Sequence, residues 1–271
     1  MQPEQTPQIP EQITLASEIK ETPGIKQFKE AKAEYPECVI FFRMGDFYEM
    51  FFEDAKIASK VLGITLTKRG GAPLAGIPHY TGEENINKMV KAGYKIAVCE
   101  QLEDPKTVKN RIVKRGVVRV ITPGTITSPD FLDSKSNNYI VSIIPSSHDP
   151  RKDSLIGLAV ADISTGIFKV TVLDSEQKLE QEISRLNPSE ILIPEIFERR
   201  AGNINGKIND NINNIYTTKL GENYTSFHSA YKRLVRHFNV LNLEGYGIEN
   251  NESAIKAAGS LLSYLYETQK N

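Results

Sequence analysis

The sequence predicts an α/β protein of two domains behind a short lead-in, with boundaries at residues 1–24, 25–136 and 137–271. Three observations lead there. Apolar runs of strand length alternate with runs of helical spacing along the chain. A polar break at Ser134–Asn138 interrupts that alternation near its middle. With 271 residues, each half has enough chain to bury a core of its own. The lead-in carries Pro3, Pro7, Pro10 and Pro23 among mostly polar residues and reads as flexible.

In the first domain a helix is expected over Lys26–Glu34, followed by a strand-like run at Cys38–Phe42. Asp46 then reads as the N-cap of a second helix. Behind it Phe47, Phe51, Ala55, Ala58 and Leu62 fall at helical spacing, and Gly63 ends the stripe. ITLTKRGG (64–71) reads as a strand running into a basic glycine turn. GEENINKMVKAG (82–93) places Ile86, Met89 and Val90 on one helical face, with Gly93 as C-cap, and KIAVCEQL (95–102) is the next strand. RIVKRGVVRVIT (111–122) resembles a hairpin turning near Lys114, Arg115 and Gly116, ended by Pro123 and Gly124.

The second domain opens with two antiparallel strands in SLIGLAVADISTGIFKVTVLD (154–174), joined at Ser164, Thr165 and Gly166. A helix over Glu176–Leu186 and a strand at Glu190–Ile193 follow, separated by Asn187 and Pro188. The stretch from 203 to 214 holds six Asn and reads as a mobile loop or insertion. Two helices come last, over Ser226–Phe238 and Ser253–Thr268.

Composition narrows the function classes. Hydrophobic residues at 39% and charged residues at 25% are ordinary for a globular chain. No apolar run approaches the ~18 residues of a membrane span, and the N-terminus lacks the basic and apolar regions of a secretory signal. A cytoplasmic, nucleoid-associated protein is therefore expected. Two cysteines, Cys38 and Cys99, both in apolar surroundings, point to buried thiols rather than a disulfide or metal site.

The net charge of −1 conceals an uneven distribution. Residues 25–138 carry 18 Lys/Arg against 14 Asp/Glu, whereas residues 139–271 carry 14 against 16. Within the basic segment, residues 105–129 hold six Lys/Arg and no acid. Such a stretch is either a solvated hairpin face or a phosphate-contacting surface whose affinity falls with salt. Lys68 and Arg69, before Gly70 and Gly71, belong to the same reading, because glycines let a backbone approach a phosphate closely.

The triplet Phe47-Tyr48-Glu49 has two readings. In one, Asp46 and Glu49 form a capping box and Phe47 starts the core stripe. In the other, Phe47 is a wedge entering DNA between base steps from the minor groove, where unstacking costs on the order of a few kcal/mol. That cost falls at a mispaired base. An ionised glutamate, which only accepts hydrogen bonds, would then test for a donor N–H left without its Watson–Crick partner.

ADISTG (161–166) places Asp162 where ribonuclease H-like nucleases hold a metal, with Glu190 the only tidy second carboxylate. A β-turn with Asp and Gly in favoured places explains the same residues. His79, His148, His228 and His237 show no ligand spacing. GNINGKI (202–208) is one residue short of a phosphate loop and ends in Ile.

Four blocks, FFRMGDFYEMFFEDA (41–55), ITLTKRGGAPLAGIPHY (64–80), VCEQLEDP (98–105) and VVRVITPGT (117–125), stand in the order and at the spacing of the N-terminal part of the MutS family of DNA mismatch-recognition proteins. ADISTG, NPSEILIP and GYGIENNESAIKAAGSLLSYLYETQ extend the resemblance to the end of the chain. It implies a mixed sheet with flanking helices, then a ribonuclease H-like α/β connector without nuclease activity.

Position by position, Phe47 corresponds to the aromatic that stacks on the mispaired base and Glu49 to the acid that hydrogen-bonds it. Met44 corresponds to their neighbour in the groove, and Lys68, Arg69, Arg115 and Arg119 to backbone-contacting positions. The implied partners are double-stranded DNA with mismatches or small insertion/deletion loops, MutL through the connector, and a second MutS subunit in the full-length protein. ATP and Mg2+ are expected only in the family's ATPase domain, since no G-x-x-x-x-G-K-[ST] occurs here; this segment is expected to be non-enzymatic.

Two departures stand out. Tyr80 occupies a place where many relatives have a second histidine, and the Asn-rich stretch matches nothing in the family pattern. The alternatives are a metal-dependent nuclease centred on Asp162 and a protein-interaction fragment without DNA binding.

Overall fold

The structure, a computed structural model, describes residues 21–104, 106–108, 112–132, 136–146, 155–195 and 215–270. Most of the lead-in and the Asn-rich stretch lie outside these residues. The first sheet is built from β1 (Cys38–Met44), β2 (Phe47–Phe51), β3 (Thr67–Arg69), β4 (Ala72–Pro78), β5 (Lys95–Gln101) and β6 (Arg115–Ile121). Its order is β3-β4-β2-β1-β5-β6, mixed because β1 runs parallel to β5 while the other pairs are antiparallel.

Strand alternation sorts β1 between two cores. Val39 and Phe41 face α2 (Phe52–Leu62) and α3 (Gly82–Lys91), packing on Ala55, Ala58, Ile86 and Met89. Cys38, Ile40 and Phe42 face α1 (Pro23–Glu34), packing on Ile25, Phe28 and Ala31. Phe28 meets Phe51 and Phe42 edge-on, with ring centroids 5.1 and 5.8 Å apart. Each such fully buried ring is worth about 1.5–3 kcal/mol of transfer free energy. Thr22 caps α1 with its hydroxyl and Pro23 takes the first helical turn, where no N–H is missed.

The expected helix from Asp46 is corrected. Residues Phe47–Phe51 form β2, paired antiparallel to β1 through Met44↔Phe47 and Phe42↔Glu49, and the helix starts only at Phe52. Asp46 lies in the turn, so no capping box forms. The spacing misled because Phe47 and Phe51, four apart, share a face in a strand as they do on a helix. The two-residue Gly45-Asp46 loop, with Gly45 at φ 58°, is the hairpin signal that decides it.

A second correction concerns residues 111–122. Among the described ones there is a single strand, β6, paired with β5 rather than folded on itself. Strand β4 was not foreseen; Gly70 and Gly71, at φ 57° and 85°, turn β3 back onto it.

The second sheet comprises β7 (Ile140–Pro145), β8 (Ile156–Asp162), β9 (Ile167–Leu173), β10 (Glu190–Pro194) and β11 (Tyr216–Leu220). The order β11-β10-β7-β8-β9 has three antiparallel strands followed by two parallel ones, the ribonuclease H-like arrangement. Helix α4 (Glu176–Leu186) covers one face through Leu179 and Ile183. Helices α5 (Phe227–Phe238) and α6 (Glu252–Gln269) cover the other. The expected β8–β9 hairpin and α4, α5 and α6 are present, while β7 and β11 went unforeseen. No described helix is long and apolar enough to cross a membrane.

The two sheets meet at a polar, fully buried junction. After β6, a turn at Pro123–Thr125 brings Thr122 and Gly124 onto Glu190 of β10, whose carboxylate is inaccessible to solvent. Thr218 of β11 and Tyr264 of α6 donate to its other oxygen, each at 2.7 Å.

Candidate nucleic-acid interface

The site grows from the β1–β2 hairpin. Gly45 supplies the left-handed turn, and a Cβ there would touch nothing within 4 Å, so backbone conformation alone asks for glycine. The loop is tied to the end of β4: the His79 N–H donates to the Asp46 carbonyl at 2.8 Å, and Nδ1 of His79 lies 3.1 Å from the same oxygen. Phe47, first residue of β2, stays 47% exposed on this fixed tip. Its cross-strand partner Met44 leans towards α1, with Sδ and Cε beneath Gly24.

Glu49 lies two residues behind Phe47 on the same face of the strand, about 7 Å along it. It is buried, and its Oε2 accepts from Arg69 Nη1 at 2.5 Å. The Arg69 side chain remains 48% exposed. Arg115, on β6, sits on the same face: its guanidinium lies 5.3 Å over the Phe42 ring and donates to the carbonyls of Arg43 and Val113 at 2.6 and 2.9 Å. Burial pulls the Arg115 pKa below the usual guanidinium value, opposed in part by the field of Glu49.

Tyr48, alternating with these residues, points the other way, donates to Glu100 and lies under the Arg43 guanidinium. Burial, and then that bond to Glu100, push its phenol above the ordinary range.

Met44, Phe47, Glu49, Arg69 and Arg115 thus share one face. Lys68 and Arg119 do not join them. Lys68 alternates with Arg69 on the exposed strand β3 and so projects to the opposite side. Arg119 stands opposite Val98 on the α2/α3 side, paired with Glu83 of α3. From the acid-free stretch, Lys106 and Lys114 are exposed; Lys109 and Arg111 lie outside the described residues.

Residues 22–130 match the family model MutS domain I, and residues 138–271 match MutS domain II. The chain belongs to the MutS family. A protein of Flavobacterium psychrophilum named DNA mismatch repair protein MutS is 44% identical over 261 residues, covering 94% of this chain and 28% of that protein. MutS proteins of Lachnoclostridium phytofermentans and Dehalococcoides mccartyi are 41% and 44% identical, each covering 92% of this chain and 26% and 28% of their own length. The chain thus spans a little over a quarter of the length of the MutS relatives it matches.

Asp162 and Glu190, the two candidate metal-ligating carboxylates of MutS domain II, are both engaged by donors of the chain itself. Asp162 accepts from Ser164 N and Oγ at 2.9 and 2.6 Å, from Thr165 N, and from Asn138 N. Glu190, the other candidate ligand, is taken by the four junction donors. Among the described residues, no group of three or more His, Cys, Asp or Glu side chains is placed to hold a metal ion. Cys38 and Cys99 are free and buried, and burial raises their thiols to about 11 and about 12.

Sequence reasoning missed the hairpin itself and the His79 latch. Gly-Asp between two apolar runs was the available signal for the first. Nothing in the sequence ties Arg69 to Glu49, twenty residues apart in the chain and separated by β4 in the sheet.

Proposed function

We propose that this chain is the DNA-reading portion of a mismatch-repair protein, and that the exposed Phe47 on its fixed hairpin tip inspects base pairs from the minor groove. The observation that carries this reading is the pairing of an exposed aromatic with a same-face glutamate two residues away, in a chain whose relatives are named for DNA mismatch repair. Phe47 is the wedge that stacks on a mispaired or unpaired base. Glu49 accepts a hydrogen bond from that base, and Met44 fills the groove beside it. A carboxylate near phosphates adds no general affinity, so its value here is discrimination.

Arg69 and Arg115 hold the backbone from the same face, while Lys68 and Arg119 serve strands running past the edges of the sheet. MutL docking through the second domain, pairing with a second subunit, and coupling to ATP and Mg2+ in a further domain complete the proposed cycle.

Fluorescence anisotropy with a duplex carrying one G·T mispair, beside its matched twin, tests the central step. Stacking of a base on an aromatic is worth about 1–3 kcal/mol, roughly 5- to 150-fold in affinity. Phe47→Ala should therefore lose mismatch preference by a factor in that range while matched binding barely changes. A preference that survives the substitution would remove Phe47 from the mechanism.

A further inference from the structure

We infer that Arg69 keeps Glu49 out of use until DNA draws the arginine away, so that base inspection requires an exchange of partners at this ion pair. The inference rests on the base-inspecting reading of Phe47 and Glu49 and assigns Arg69 a positioning role within it. The Glu49 side chain is only 10% exposed and its Oε2 is occupied by Arg69. The guanidinium stands over Oε2, so a base stacked on Phe47 has no open approach to that oxygen. For the base to reach it, the guanidinium has to leave.

Three features make departure feasible. Arg69 closes a three-residue, wholly exposed edge strand followed by Gly70 and Gly71, both in the left-handed region. Few buried contacts hold such a segment, and local opening there is inexpensive. The arginine reaches Glu49 from across β4, the strand between β3 and β2, with its own side chain still 48% exposed, so the head group already borders water.

A third feature lies at Arg115. Its cation also acts on Glu49 but is bound to the carbonyls of Arg43 and Val113, so it stays when Arg69 goes. The carboxylate then still faces one fixed positive charge. A departing arginine finds an equivalent anion in a DNA phosphate, which suits its planar fork. On a matched duplex the bases stay stacked and paired, none is brought onto Phe47 beside Glu49, and the ion pair persists. On a mispaired base the donor takes Glu49, and Arg69 makes one more phosphate contact.

Salt dependence counts that contact. Each phosphate neutralised adds about 0.9 to the slope of log affinity against log salt. The 271-residue chain should therefore show a slope steeper by about 0.9 on the G·T duplex than on its matched twin. Glu49→Gln, which releases Arg69 permanently, should give the steeper slope on both duplexes. Arg69→Gln should give equal slopes on both, and Arg69→Lys, which keeps the charge, should restore a difference.

Mismatch preference with equal slopes in the unsubstituted chain would overturn the exchange and leave the wedge reading standing. A slope difference that survives Arg69→Gln would also overturn it. No mismatch preference at all would sink the wedge reading, and the exchange with it.

Discussion

Glu190 and Glu49 are both buried acids on strands, yet their surroundings differ in the feature that decides what each can do. Glu190 is inaccessible, and four donors from three segments saturate it: the Thr122–Gly124 turn, Thr218 and Tyr264. Glu49 is held by one arginine that is itself half in solvent. Removing a donor from Glu190 leaves a polar group with no water to replace it. Removing Arg69 from Glu49 leaves a carboxylate at a surface that DNA can approach. The number and mobility of the donors thus separate Glu190, a fastener between the sheets, from Glu49, the proposed reader.

The largest test of that contrast is Glu190→Ala. Deleting Glu190 leaves four buried neutral donors without an acceptor, and each such group costs about 1–3 kcal/mol. Urea unfolding should show that loss, whereas Glu49→Ala should cost much less, because its ion-pair partner Arg69 is half in solvent and free to hydrate. Comparable losses at the two positions would erase the distinction.

Gly124→Ala attacks the same fastener by shape. A Cβ at Gly124 would come within 2.8 Å of Ile140 Cβ and 2.9 Å of Glu190 Cβ, atoms fixed to strands that cannot swing aside. Forcing the turn outward should cost about 1–3 kcal/mol. The Thr122 and Gly124 bonds to Glu190 should lengthen, with faster amide exchange at Gly124 as the measurable sign.

How much of this was legible in sequence follows the same division. Phe47 and Glu49 could be singled out from residue chemistry, since an aromatic beside an acid in a basic segment suggests base inspection. Their element was misjudged, because the short apolar run satisfied helical and strand spacing alike and only the Gly45-Asp46 turn separates them. Lys68 and Arg119 could be nominated by charge, but which side of the sheet they occupy depends on register, which no local pattern states. Glu190 drew attention as a metal ligand. Its role as an interdomain acceptor depends on Thr122, Thr218 and Tyr264 converging from distant parts of the chain.

Tyr264→Phe probes the fastener more gently. It removes one of two donors on Glu190 Oε1 and should cost about 0.5–1.5 kcal/mol at neutral pH. Burial, reinforced by the neighbouring Glu190 charge, raises the Tyr264 pKa well above the ordinary phenol range. The folded state therefore holds this proton more tightly than the unfolded chain does. The associated stability is fully present below pH ~10 and is lost as the pH climbs from there towards the folded value. The variant should show a shallower alkaline decline than the parent in urea titrations above pH ~10, and an unchanged decline would mean this proton is not part of the linkage.

The smallest expected effect on the fold belongs to the residue with the largest proposed effect on recognition. Phe47 is 47% exposed and ends a strand whose pairing does not depend on its ring. Phe47→Ala should melt within about 0.5 kcal/mol of the parent, while abolishing most of the preference for mispaired DNA. An aromatic kept half in water at the tip of a latched hairpin gives up burial energy it could have had in the core. If Phe47→Ala instead destabilised the domain as Glu190→Ala should, the ring would be serving the fold, and the line drawn between fastener and reader would have to move.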